Sequence, residues 1–252
     1  MTTPKARERE RRRQLLIVDR MNTVLERGLR KEISRTMNRA AALAGEGEST
    51  ESATIGHKER VQRILYPFYK RIAEVFTGGM LEQLKSDRGP ELVKKRTQDG
   101  LVSEFLQVWV ARFGAESVVS ISETTKKQIQ DATYQIINEG LSQRDAARRI
   151  RQLSSIYAPA RSQTIARTES HRAAMAATEN AARELPADYV KVWVASKGPD
   201  TRGAHQRADG QAVELNDRFT VDGEKLRYPG DPSGSAANVI NCRCVAVYEP
   251  RR

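Results

Sequence analysis

Apolar residues in this chain recur three or four positions apart up to about Leu185, and the stretches after Pro186 are short and β-prone, so helices come first and strands follow. Residues 5–39 predict one long helix, because Leu15, Val18, Met21, Leu25, Leu29 and Ile33 share a stripe while Arg and Glu fill the opposite face. Residues 44–56 lose that period, gain Gly, Ser and Glu, and have the composition of a flexible linker. The helical period returns at Val61, Ile64, Leu65, Phe68, Ile72, Val75 and Phe76, with Pro67 expected to bend the run. Gly78-Gly79 is expected to end that helix or mark a hinge. A third amphipathic stretch is expected from about Pro90 to Phe113, with Leu101, Phe105, Leu106, Val108 and Trp109 as packing groups.

A fourth run contains Ile129, Thr133, Ile136, Ile137 and Leu141 and stops near Gly140, whose missing side chain suits a helix C-terminus. Ser142 then starts another helix by capping its free amides, with Asp145 in the favourable first turn. Pro159 to Leu185 reads as an alanine-rich helix that Pro186 interrupts. Beyond it, Tyr189 to Val194 alternates and predicts a strand with one half-buried face, Asp222-Gly223 predicts a tight hairpin after Phe219-Thr220-Val221, and Val245 to Tyr248 predicts a last strand. The fold class is α+β: a mainly helical, elongated N-terminal region over 1–157 and a small α+β domain over 158–252, with the boundary near Tyr157–Ala160.

The chain has two cysteines, Cys242 and Cys244, in Asn241-Cys242-Arg243-Cys244. One intervening residue is too short for a comfortable disulfide between them. On a strand, residues two apart face the same side, so both thiols can approach one point while Arg243 faces away. His205 supplies a third nitrogen or sulfur donor, and this donor chemistry suits Zn2+, whose structural sites want four ligands. His171 or Asp200 is the candidate fourth ligand. The alternative is a pair of reduced, half-buried thiols beside a hydrogen-bonded loop histidine. A catalytic Cys with His205 lacks a third orienting group at a characteristic spacing.

The ordered set Arg167-Thr168-Glu169, Asn180-Ala181-Ala182-Arg183, Trp193, Asp200-Thr201-Arg202, His205, Gly210, Pro229-Gly230-Asp231-Pro232 and Asn241-Cys242-Arg243-Cys244 resembles the C-terminal region of the Mu F-like phage head morphogenesis proteins, over about residues 160–250. The resemblance implies a minor head protein of a tailed bacteriophage, present in several copies inside the virion head after synthesis in the host cytoplasm. It implies association with the portal protein, with major capsid or scaffold protein, and with packaged double-stranded DNA. It transfers no catalytic residue, so the expectation is a structural component rather than an enzyme.

Charge widens the choice. The 43 Lys and Arg against 32 Asp and Glu leave a formal charge of +11, which attracts polyanions. Arg11, Arg12 and Arg13 at the start of the first helix, and Arg144, Arg148, Arg149 and Arg151 after Ser142, are the candidate phosphate contacts. The stretch from Ile137 to Ile150 reads as a helix-turn-helix or as a simple helical hairpin, and it carries no base-reading set. A non-specific DNA-binding accessory protein is therefore one alternative. A metal-dependent hydrolase or nuclease using His205, the cysteines and Asp200 is another, although the chain has neither a carboxylate metal cluster nor a Gly-rich phosphate loop. No run approaches the eighteen or so apolar residues that span a bilayer.

Overall fold

The computed structural model describes residues 3–88, 97–186 and 188–251. Helices come first: α1 (Pro4–Glu46), α2 (His57–Arg88), α3 (Gln98–Trp109), α4 (Ala115–Asn138) and α5 (Gln143–Ala182). The rest alternates short elements: β1 (Tyr189–Val194), α6 (Gly203–Arg207), β2 (Ala212–Glu214), β3 (Phe219–Val221), β4 (Glu224–Leu226), α7 (Ala236–Val239) and β5 (Val245–Pro250). The expected α+β class is what the chain adopts. Its residues pack as two compact units that interleave in sequence: a helical unit of Thr23–Phe68 and Val110–Ala166, and a sheet-bearing unit of Met1–Asn22, Tyr69–Trp109 and Arg167–Arg252. The boundary expected near Tyr157–Ala160 falls inside α5, which runs unbroken with Pro159 in its interior.

In the helical unit, Ile33, Met37, Ala40, Ile129, Ala132, Ile136, Ala146 and Ile150 form one buried cluster. α1 ends in a Schellman motif, with Gly47 at φ +76° and Glu48 N donating to Leu43 O. The same geometry closes α4 at Gly140, where Leu141 N donates to Ile136 O. Linker composition leads one to expect a flexible segment over 44–56, but the chain there makes a 3-10 turn, Thr50–Thr54, pinned by buried Ala53 and by a 2.9 Å bond between the Thr50 and Thr133 hydroxyls. Ser142 caps α5 as expected: its Oγ accepts from Asp145 N at 3.2 Å and donates to Asp145 Oδ2 at 2.7 Å.

This unit also buries a polar cluster around Glu32. His57 Nδ1 (2.8 Å), Thr36 Oγ1 (3.0 Å) and Arg60 Nε (2.7 Å) all donate to Glu32 Oε1. Burial pushes the Glu32 carboxyl pKa up, but these donors outweigh burial and hold it below the ordinary carboxylate value.

In the sheet-bearing unit, β1 is the centre of a three-stranded antiparallel sheet in the order β2-β1-β5, and β3 and β4 form a separate hairpin. The hairpin turn is the expected Asp222-Gly223, with φ of +52° and +79°, the twist that suits two-residue loops. β1 departs from expectation: all six residues are buried, not one face. A central strand with neighbours on both edges and cover on both faces keeps no solvated side. The polar member of that run, Lys191, is fully buried and donates to Glu179 Oε1 at 3.0 Å and to Arg227 O at 2.9 Å, while Tyr248 Oη donates to Glu179 Oε2 at 2.7 Å.

One helical expectation is corrected. α2 runs through Gly78-Gly79 to Arg88, because Phe76, Met80, Leu81 and Leu84 keep its apolar stripe buried and packing outweighs the helix penalty of glycine. The third helix occupies Gln98–Trp109 and passes through a π turn, Val110–Gly114, into α4. The expected start of that stretch, residues 90–96, lies outside the described residues. Among the described residues no helix is long and apolar enough to cross a membrane.

Candidate metal centre and adjoining cleft

The short helix α6 follows Arg202, whose extended backbone (φ −57°, ψ 140°) turns the chain inward and buries His205. Helix α7 ends at Ile240, and Asn241 then takes φ +55°, a left-handed conformation that Asn tolerates better than most residues. That turn sends Cys242 and Cys244 into the core. They lie in the irregular segment that leads into β5, not on a strand as expected, yet both sulfurs reach one point beside His205. Arg243 points the other way and makes a bidentate pair with Asp19 at 3.0 and 2.8 Å.

The structure therefore brings together three of the donors marked in the sequence. His205 Nδ1 lies 3.4 Å from Cys244 Sγ and 3.7 Å from Cys242 Sγ, and the three ligand atoms lie within 4.8 Å of one another. A tetrahedral zinc ion with a Zn–N bond of about 2.0–2.1 Å and a Zn–S bond of about 2.3 Å separates nitrogen from sulfur by about 3.6 Å. The measured distances bracket that spacing, and this cluster can hold a metal ion.

His205 Nε2 lies 3.3 Å from Asn238 Oδ1, so donation to Asn238 leaves Nδ1 bare and aimed at the sulfurs. Trp193 stands edge-on to the imidazole, with ring centroids 5.5 Å apart. Asn238 was not legible as a partner in the sequence. The available signal was the need of a ligating imidazole for a second hydrogen bond, met here by a polar residue six positions before the second thiol.

A hydrogen bond from Cys242 lowers the Cys244 pKa against the effect of burial, and the Ser196 backbone N–H adds to it. The same hydrogen bond and burial push Cys242 well above the ordinary thiol value. Binding of a metal ion by the two sulfurs would displace their protons. The His205–Asn238 contact also resembles the orienting bond of a Cys–His nucleophile, but Cys242 is 3% and Cys244 1% exposed, which closes the sulfurs to a substrate carbonyl.

His171 and Asp200, the candidate fourth ligands, are not part of this group; among the described residues no fourth donor joins it. His171 is turned to the backbone, with its Nε2 2.7 Å from Cys244 O, and burial lowers its pKa to about 4, which keeps the ring neutral. Both residues, together with Cys242, line a cleft of about 360 Å³ beside the cluster. Glu169 and Asn180, also part of the resembling pattern, serve packing: Glu169 accepts from Tyr69 Oη and Arg172, and Asn180 donates to Leu101 O.

The candidate phosphate contacts divide. Arg11 and Arg12 pair with Glu8, Arg13 with Glu10 and Arg148 with Asp145, so these charges are compensated locally. Arg144, Arg149 and Arg151 are exposed.

Comparison with known proteins adds a family. The family described as Phage Mu protein F like protein matches residues 127–247. The minor head protein GP7 of Bacillus phage SPP1 is 32% identical over 94 residues, 35% of this chain and 30% of that protein. An NAD(+)--arginine ADP-ribosyltransferase, EFV, of Enterococcus faecalis (strain ATCC 700802 / V583) is 35% identical over 86 residues, 33% of this chain and 18% of that protein. The uncharacterized protein YqbB of Bacillus subtilis (strain 168) is 26% identical over 141 residues, 54% of this chain and 46% of that protein. The chain spans less than half the length of each of these curated relatives. No solved structure matches it.

Proposed function

We propose that the chain is a structural minor head protein of a tailed bacteriophage, a reading supported by the match of residues 127–247 to the Phage Mu protein F like family. It acts by assembly rather than turnover, inside the virion head, through contacts with the portal and with capsid or scaffold protein, and it is made in the host cytoplasm. The observation that carries this reading is the coincidence of the family region with a buried, motif-built His205/Cys242/Cys244 cluster. In this reading the cluster holds one structural Zn2+ that ties α6 to the segment entering β5. Its burial within the core cluster of Trp193, Phe219 and Tyr248 supports an architectural role.

Packaged DNA is a further partner in this reading, met through exposed Arg144, Arg149 and Arg151, with affinity that falls steeply as salt rises. The alternative of a metal-dependent hydrolase or nuclease is not favoured: a three-donor set would leave a fourth position for water, but all three donors are buried.

Mass spectrometry of purified heads from the phage or prophage that encodes the chain tests the assembly reading, and absence of the protein from heads overturns it. Metal analysis of the purified protein tests the ion: one zinc per chain, lost in Cys244→Ser with a fall in thermal stability, is the expected result. DNA cleavage that requires added zinc and disappears in His205→Ala would move the assignment to the hydrolase.

A further inference from the structure

The cleft beside the His/Cys cluster contains charge that the fold does not use. Its wall is partly neutral, because Arg243 is matched by Asp19. Two further guanidiniums line it. Arg167 is exposed and makes no ion pair or hydrogen bond among the described residues, and Arg202 donates to the neutral carbonyl of Ile240 at 2.6 Å. Against them stands one carboxylate, Asp200, which makes no ion pair among the described residues. The cleft thus carries about one net positive charge.

It also holds an unsatisfied acceptor. Asn22 lines the cleft, is 7% exposed, and its Oδ1 finds no hydrogen-bond partner among the described residues. Buried polar atoms are nearly always paired, so this one marks a place where a donor belongs. Leu15 and Val18 supply an apolar floor.

We propose that this cleft binds an acidic segment of a partner polypeptide, with one Asp or Glu carboxylate held by Arg167 and Arg202 and a neighbouring backbone N–H donated to Asn22 Oδ1. The charge count favours a single carboxylate over a nucleic-acid track, because successive phosphodiesters would meet Asp200 in the same cleft. The acceptor favours it as well: a peptide carries an N–H beside its carboxylate, whereas a phosphodiester has no proton to donate. A volume of about 360 Å³ suits one or two residues, at the lower end of ligand-site sizes. The inference goes beyond the assembly reading and stands independently of the metal.

NMR titration of the isotope-labelled full chain with N-acetylglutamate N-methylamide tests it. The expected result is saturable shifts at Asn22, Arg202 and Asn241 at millimolar probe, weakened by about tenfold or more in Arg167→Gln and with the neutral N-acetylglutamine N-methylamide. Arg167 makes no ion pair or hydrogen bond among the described residues, so that variant should remain folded, and its unchanged spectrum without probe checks this. Asn22→Leu should weaken the charged probe while leaving the preference for charge. The proposal is overturned by the absence of saturable shifts at these residues, by equal binding of the neutral probe, or by a short DNA duplex that shifts the same residues more strongly and fades with salt.

Discussion

The two units build their cores from different materials. The helical unit packs Ile33, Met37, Ile129, Ile136 and Ile150 against Ala40, Ala41, Ala53, Ala132, Ala146 and Ala158. Small side chains let helices approach closely and leave little need for aromatic rings. The sheet-bearing unit centres on Tyr189, Trp193, Phe219, Tyr248 and the two thiols. Its strands are three to six residues long, and such short elements bury enough surface only with large rings, or with an ion that cross-links them. Among the described residues the helical unit buries one carboxylate, Glu32, whereas the sheet-bearing unit buries four, Glu169, Glu179, Asp231 and Glu249, and the donors that satisfy Glu32 and Glu179 set how costly each is to disturb.

The largest effect is expected at Glu179. Its partner Lys191 is fully buried on the central strand, where burial lowers the ammonium pKa and Glu179 opposes that shift. Glu179→Leu leaves that ammonium without its counter-charge, and a loss of about 3–5 kcal/mol is expected from urea unfolding. Adding Lys191→Met should recover most of it, since two apolar groups of similar volume replace the pair. If the double variant is no more stable than the single one, the cost lies in lost packing of Tyr248 and not in the stranded charge.

Glu32 should matter less, because its donors come from Thr36, His57 and Arg60 and two of these keep other options. Glu32→Gln is expected to cost about 1–3 kcal/mol, read by hydrogen exchange in the helical unit. The pH dependence has a definite sign. A folded-state pKa below the ordinary 4.5 means the unfolded chain binds the proton more readily, so the stabilisation is present above pH 4.5 and is lost as pH falls through the depressed value. In Glu32→Gln that component of the acid loss should vanish. An unchanged acid limb would show that other carboxylates govern the unit.

This contrast also explains what the sequence made legible. The long helices, the Gly140 stop, the Ser142 cap and the Asp222-Gly223 hairpin are local: a period, or a residue type with one permitted conformation, announces each of them. The meeting of His205 with Cys242 and Cys244 was legible for a chemical reason, because few other roles suit paired thiols and a histidine near the end of one small domain. Glu32 was not legible, since a glutamate between Lys31, Arg35 and their neighbours looks like part of a solvated helix face. Lys191 gave the same false impression, as the polar member of an alternating strand. In both cases the partner is remote in sequence, His57 and Arg60 for one and Glu179 for the other, and only tertiary packing reveals the pair. Gly78-Gly79 failed in the opposite direction, where a local breaker lost to a buried stripe.

A smaller effect is expected at Gly230. Its φ is +82°, and a Cβ there would lie 2.9 Å from His171 Nδ1 and 3.6 Å from the Arg172 backbone. Gly230→Ala should therefore cost about 1–2 kcal/mol from the left-handed backbone alone, with more from displacing the imidazole. Gly223 supplies the control: its φ is +79° but nothing lies within 4 Å, so Gly223→Ala should show the backbone cost without the clash. Equal losses at the two positions would mean that His171 moves aside freely, and that its bond to Cys244 O does little to hold the segment carrying the thiols.

The smallest effect tests the helical unit where it is most local. Ser142 satisfies one of the amides at the start of α5, and Asp145 answers it from the first turn, where a carboxylate is also favoured by the helix dipole. Ser142→Ala should cost about 1 kcal/mol, seen as faster amide exchange in the first turn of α5. Ser142→Asp retains an acceptor for the Asp145 amide but puts two carboxylates together, so it should recover only part of the loss at neutral pH. A loss as large as that at Glu179 would mean that the turn between α4 and α5 carries tertiary contacts beyond its own cap, and the view of the helical unit as a sum of local signals and an aliphatic stripe would fail there.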